Sequence, residues 1–343
     1  MDRVLVVGGG LAAAVVESAC TRRGFKAVVR AGQAPSASRV AAGMFNPVSF
    51  QRVLPVWRAA EHLAALEQVY GAFEARLGRA FVHRVPVLKV FASAEYARVW
   101  AERIEQHHAV AEWIAPKSWR DVPEGVLAQH GAGWVPGAGW VDVAQLLDDW
   151  SERVREEGRW EEGAWGHADG VPSGFAAVVD CRGVGAREDL AAYGLDLRPN
   201  HGELLTVAGS ELPQEVCVNA VSWLLPIGEG RGRLGSTYRW DVQDCRIHAE
   251  TASMLVERVG DVLEVTRRVH VERHEAGVRP TSPDRRPWVG EVRPGIWVCN
   301  GLGTRGVLVA PWTAERLLDA MMGQDAELPE EIDVRRFRTF KAN

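Results

Sequence analysis

The chain has 343 residues, 47% of them hydrophobic and 25% charged, with a formal net charge of −5. That length supports a large core, divided between two domains or held by one domain interrupted by another. The acidic balance and the lack of any dense Lys/Arg run argue against nucleic acid as the main partner, since phosphate affinity needs clustered cations.

Five cysteines, Cys20, Cys181, Cys217, Cys245 and Cys299, are odd in number and form no Cys-x-x-Cys pair. Neither a disulfide framework nor a thiolate metal site is expected. No apolar run reaches membrane length, and the first, "VLVV", stops at glycine, so a cytoplasmic location without membrane contact is the expectation.

In chain order, residues 3–7 predict a strand, Gly8 to Gly10 a turn, Leu11 to Arg23 a helix closed by Gly24, and Lys26 to Arg30 a second strand. In "VVGGGLAAA" the pattern is Gly8-x-Gly10-x-x-Ala13. Gly8 permits the tight turn, Gly10 lets a pyrophosphate approach the backbone, and Ala13 is small enough for helix–strand packing. Free N–H groups and the dipole at Leu11 then face phosphates, which points to a dinucleotide. Arg30 stands where a ribose-binding carboxylate is expected. It is suited to grip a 2′-phosphate, to stack on adenine or to point into solvent, and taken alone it tilts the reading toward NADPH.

"AGQAPSASR" reads as a loop, and "RVAAGMFNPVSF" carries the small residues Ala41, Ala42 and Gly43, which let backbone press against a flat or phosphate-bearing ligand. A long amphipathic helix is expected from near Pro55 to Gly78. "FVHRVPVLKVFAS", "HGELLTVAG", "SWLLPIGEG" and "GRLGSTYRWD" have the strand-and-turn character of an antiparallel sheet. Between them, "VDVAQLLDDWSERVREEG" predicts a helix and "FAAVVDCRGVGA" a strand buried on both faces. "VHVERHEAG" reads as a strand, so His270 and His274 are not expected to share a metal. "GIWVCNGLGTRGVLVAPWTAERLLDAMMG" is strand, glycine-rich turn and helix. The expected fold class is α/β, with a nucleotide domain from residues 1–80, 140–200 and 276–343 and a substrate domain from 81–139 and 201–275.

At these motifs the chain resembles the flavoprotein family of D-amino acid oxidase, glycine oxidase and sarcosine oxidase. "AAGMFNPV" is similar to the family's Ala-Ala-Gly loop, with Met44 following it, and Ser36 and Ser38 stand where members contact phosphate. "VVDCRGVGAR" is similar to its strand-turn motif at Gly183, with Arg182 where a small hydroxyl residue is usual. "LRPNHGELLTV", "SWLLP", "AGVRPTSPDRRPWVGEV" and "NGLGTRGVLVAP" follow in the family's order. The resemblance spans almost the whole chain. It implies a Rossmann-like FAD-binding domain of glutathione-reductase type, with a parallel sheet, interleaved with a substrate domain built on an antiparallel sheet.

The resemblance also implies FAD as cofactor and oxidation of the C–N bond of a small amino acid or amine to an imine, with hydride passing to flavin N5. Oxygen or another acceptor then reoxidises the flavin. Arg279 is the expected carboxylate-binding residue, able to hold two oxygens at once. Backbone N–H groups of Gly303, Thr304, Arg305, Gly306, Val307 and Leu308 are expected to stabilise negative charge on the reduced ring. Trp223 takes the place of a carboxylate-touching tyrosine, and its indole donates but does not accept. His201, next to Gly202, is a candidate to approach the ring. Three other readings stand beside this one: the oxidase half of a tRNA wobble-uridine enzyme acting on a carboxymethylaminomethyl group, an NADPH-binding reductase, and a scaffold without flavin.

Overall fold

The structure is a computed structural model that describes residues 2–32, 36–116, 119–323 and 327–337. A six-stranded sheet runs in the order Trp160–Glu162, Lys26–Ala31, Arg3–Val7, Ala177–Asp180, Ile296–Asn300, Trp288–Arg293. The first five strands are parallel, and the Trp288–Arg293 edge is antiparallel. Its central strand shows why the run "RVLVV" is apolar throughout. Val4 and Val6 pack with the helices Leu11–Arg22, Ala59–Leu77, Val143–Glu156 and Gly306–Met321, while Leu5 and Val7 face Trp165, Leu190 and Leu195 on the other side.

A second sheet has seven strands in the order His270–Thr281, Arg198–Ala208, Arg231–Gly235, Trp223–Gly228, Cys217–Asn219, Val87–Val90, Ala132–Val135. Its pairs are antiparallel except for Cys217–Asn219 with Val87–Val90. This is the α/β fold of a Rossmann-like sheet joined to a largely antiparallel one.

Several elements differ from the sequence expectation. The long helix begins at Ala59 rather than near Pro55, because Arg58 at its N-cap is left-handed (φ 50°) and the two residues of Leu54–Pro55 pair with Val48–Ser49. "FVHRVPVLKVFAS" is two strands in different sheets, Val82–Arg84 and Val87–Val90, separated at Val85–Pro86. Proline has no N–H to give a ladder, which suits it to that switch. "GRLGSTYRWD" leaves the sheet after Gly235. In "AGQAPSASR" the described part is a short helix, Ala37–Val40, capped by Ser36, and positions 33–35 lie outside the described residues.

Candidate active site

The carboxyl ends of the parallel strands and the inner edge of the seven-stranded sheet enclose a cavity of about 1090 Å³. Ligands in open α/β sheets bind at this end of the strands. Gly8, Gly10 and Leu11 line one end with Arg30, Ser36 and Ser38. Ala41, Ala42, Gly43 and Met44 form a side wall, and Gly183 faces them. Gly303, Thr304, Arg305, Gly306, Val307 and Leu308 line the opposite region with Arg279 and Trp223. Of the residues expected to bind the cofactor, Ala13 alone stays outside this lining. It is fully buried on the helix face turned to the sheet, where a small side chain allows close packing.

Two helices open onto the cavity. Leu11–Arg22 has Gly10 at its N-cap and Gly306–Met321 has Arg305, and neither N-cap side chain covers the first N–H groups. The Leu11 N–H instead donates to Ser38 Oγ at 3.1 Å. Gly43 meets a different demand from the one its sequence context suggests. Its φ is 74° and a Cβ would lie 1.9 Å from the Val141 carbonyl oxygen, so the fold's own backbone requires glycine there.

Arg30 lines the cavity, but its guanidinium is engaged. Nε and a terminal nitrogen donate to Glu161 Oε2 at 3.0 and 2.6 Å, across from it in the neighbouring strand. That pairing accounts for Arg30 without a 2′-phosphate, which weakens the argument for NADPH. Glu162, the next residue of that strand, lines the cavity and accepts from Arg155 and Trp160. Arg182 is likewise bound to carboxylates, donating to Asp180 at 3.0 and 2.7 Å and to Asp189 at 2.6 Å. Burial alone would raise the pKa of Asp180. Hydrogen bonds from His167 and Arg182 reverse that and hold its carboxyl below the ordinary aspartate range.

Arg279 contrasts with both. It projects from His270–Thr281 opposite Asn200, and its guanidinium lies over Gly202, where a Cβ would come within 2.1 Å of two of its nitrogens. One nitrogen donates to Asn200 Oδ1 at 2.9 Å and to the Thr237 carbonyl at 3.2 Å, and the guanidinium carbon sits 4.8 Å from the Tyr238 ring centre. All of these partners are neutral oxygens or a ring, and among the described residues no carboxylate pairs with Arg279. Burial lowers its pKa, and burial lowers that of Arg305 as well. Arg279 and Arg305, neither paired with a carboxylate among the described residues, thus line one cavity.

Asn200, Thr237, Tyr238 and Lys89 were not singled out in the sequence. Tyr238 lies in a segment whose composition suggests strand, and nothing local marks it. Lys89 is a buried amine whose pKa burial pulls down to about 8; it donates to Asn219 Oδ1 at 3.0 Å, and Asn219 lines the cavity. Trp223 covers Gly235 with its ring and forms wall. His201 does not reach the cavity. Its side chain points to the other face of its strand, and Nε2 donates to the Arg246 carbonyl at 2.9 Å.

The sequence profile of the FAD dependent oxidoreductase (DAO) family matches residues 3–320. The chain belongs to this family. Among solved structures, glycine oxidase from Geobacillus kaustophilus superposes with a TM-score of 0.79 at 22% identity, covering 96% of this chain and 97% of that one. Iminodiacetate oxidase from Chelativorans sp. BNC1 gives 0.76 at 20% identity, covering 96% and 98%. The tRNA 5-methylaminomethyl-2-thiouridine biosynthesis bifunctional protein of Nitrosospira multiformis is 25% identical over 384 aligned positions, covering 96% of this chain and 58% of its own length. The chain thus spans little more than half the length of that relative.

FAD is the cofactor of this FAD-dependent oxidoreductase, and the cavity fits it. Two helix N-termini without an N-cap side chain line the cavity, which suits pyrophosphate at one and an electron-rich ring at the other. A Cβ at Gly10 would fill the cradle, 3.2 Å from Ser38 Oγ and 3.3 Å from Ser36 Oγ. No helix among the described residues is long and apolar enough to cross a membrane.

Proposed function

We propose that this oxidoreductase oxidises the C–N bond of a small amino acid or N-substituted glycine, of the kind exemplified by glycine, sarcosine or a D-amino acid. The observation that carries the reading is Arg279, a half-buried cation without a carboxylate partner among the described residues, lining the cavity together with Arg305 and the start of the Gly306–Met321 helix. A substrate carboxylate completes that pair. Asn200 and Thr237 hold one guanidinium nitrogen, Tyr238 fixes the plane, and Gly202 leaves room beneath. The remaining N–H groups are then aimed at a carboxylate in two-point contact, which orients the adjoining carbon.

Bound FAD supplies a two-electron acceptor for that carbon's hydride. The Leu11–Arg22 N-terminus, Ser36, Ser38 and the Ala41–Met44 wall would hold its phosphates and bridge, with Glu162 available to its adenosine ribose. The N–H groups of Gly306 to Leu308, together with Arg305, would favour negative charge on the ring. The imine product leaves to be hydrolysed, and oxygen or another acceptor takes the electrons.

A second reading is favoured by the match of 96% of the chain to a protein named for tRNA 5-methylaminomethyl-2-thiouridine biosynthesis. In that case the same arginine holds the carboxylate of an amine attached to tRNA. One experiment separates the two. Flavin bleaching without oxygen is followed with glycine, sarcosine, iminodiacetate, D-alanine and proline of either hand, and with tRNA bearing the carboxymethylaminomethyl group. Bleaching by a free amino acid supports the first reading and bleaching by tRNA alone the second. In either case Arg279→Ala should lower kcat/KM roughly 100-fold, the scale of losing a buried charge-assisted contact. A variant that bleaches like wild type would remove Arg279 from the site.

A further inference from the structure

Strand geometry places the other face of Arg198–Ala208 away from the cavity. Asn200 and Gly202 serve Arg279, so His201 and Glu203 point to the opposite side, beneath the helix Ala249–Gly260. His248 is the N-cap residue of that helix. Its backbone N–H donates to Glu203 Oε2 at 2.9 Å, and its Nδ1 lies 2.9 Å from Glu203 Oε1. His274, from the neighbouring strand, approaches Oε2 with Nε2 at 2.8 Å, and Thr251 donates to Oε1 at 3.1 Å. Glu203 and His201 are both fully buried.

The tautomer of His201 follows from its partner. A carbonyl only accepts, so Nε2, bonded to the Arg246 carbonyl, carries a proton, and Nδ1 is the ring atom left to act as a ligand. That Nδ1 is buried, has no hydrogen-bond partner and faces Glu203 Oε1 from 4.0 Å. A buried ring nitrogen without a partner, facing a buried carboxylate oxygen across a gap, is the geometry that a cation between the two would satisfy.

We propose that His201 Nδ1, Glu203 Oε1 and His248 Nδ1 form a zinc site that fastens the 236–248 segment to the floor of the catalytic cavity. The three ligand atoms lie within 4.8 Å of one another. Zinc takes imidazole and carboxylate ligands at about 2.0–2.2 Å, which places tetrahedral ligand atoms roughly 3.3 Å apart, so shifts of an ångström or less close the shell. The surroundings match what such ligands require. The Arg246 carbonyl fixes the His201 ring, and His274 and the His248 N–H hold Oε2, so an ion at Oε1 has only the His248 Nδ1 and Thr251 contacts to replace. His248, about a quarter exposed, leaves a side open for water as fourth ligand. The opposing charge is Arg239, whose Nε is 3.9 Å from Oε1; its side chain is 30% exposed and has solvent to swing into. His201, Glu203 and His248 are separated in sequence by positions that carry Ser236 and Tyr238 into the cavity. An ion there ties the His248 end of the segment that supports Arg279 to the strand that carries Asn200, whichever amine is the substrate.

The test uses the untagged full chain carrying Cys245→Ser, so that this exposed thiol does not compete. After dialysis against a chelator, zinc is titrated against a chromophoric indicator, and cobalt is added separately to read visible d–d bands. The expected result is one equivalent of zinc and a cobalt spectrum of low coordination number. His248→Ala should weaken zinc at least 100-fold, and His274→Ala about 10- to 100-fold, as an outer partner does. Because His201 is buried and its replacement risks the fold, quarter-exposed His248 is the principal variant, with far-UV circular dichroism as the folding check. No uptake by the unmutated cluster overturns the proposal. So does uptake indifferent to a folded His248→Ala variant.

Discussion

At the scale of single residues, Arg279 shows how narrow the room for a buried guanidinium is. The strand beneath it must offer no side chain at Gly202, where an added Cβ would lie 2.1 Å from the guanidinium nitrogens. The flexible end of the arginine, and not the backbone, would yield. Gly202→Ala should therefore raise KM about tenfold or more while leaving the melting temperature within a few degrees of wild type, measured by steady-state kinetics and thermal unfolding. A variant with unchanged KM would show that the observed guanidinium position is not the working one. Arg279 was readable in the sequence because its Gly-x-Arg-Pro context is local. Tyr238 and Asn200 were not, since they reach Arg279 from a loop and a different strand, and no spacing rule connects them. Arg30 was misleading for a similar reason. Its partner Glu161 lies 131 residues away, in a strand whose place beside it only the sheet order reveals.

At the scale of elements, the helix Gly306–Met321 carries its functional end on an irregular first turn. Pro311 lies inside it and has no N–H to give the Val307 carbonyl four residues earlier. Tyr70, fully buried on the helix Ala59–Leu77, donates its hydroxyl to that carbonyl at 2.9 Å. Tyr70→Phe leaves the carbonyl unsatisfied and should cost about 1–3 kcal/mol in denaturant unfolding. In a Pro311→Ala background the helix supplies its own N–H, and the same change should cost less; equal cost in both backgrounds would refute this account of the tyrosine. Glycine-rich turns, helix periods and apolar strands were legible at this scale because each rests on near neighbours. The start of the long helix and the division of "FVHRVPVLKVFAS" between two sheets were not. They depend on a left-handed Arg58 and on tertiary pairing at Pro86.

For the whole molecule, the cofactor cavity draws on segments near residues 8–11, 36–44, 183 and 303–308. A ligand touching all four stabilises the native state by mass action. Removing FAD should lower the melting temperature, and FAD restored at a hundredfold excess over its Kd should return about 2.7 kcal/mol. Equal melting with and without FAD would argue against a site assembled from all four segments. Order in synthesis follows from the same sheet. The Arg3–Val7 strand emerges first, yet its neighbour Ala177–Asp180 and the next strand, Ile296–Asn300, appear far later. The chain must leave the ribosome almost to its last helix before the pocket's two ends exist together. Flavin capture is then a late step in biogenesis, and nascent chains stopped before residue 296 should emerge colourless, waiting on a partner strand not yet made.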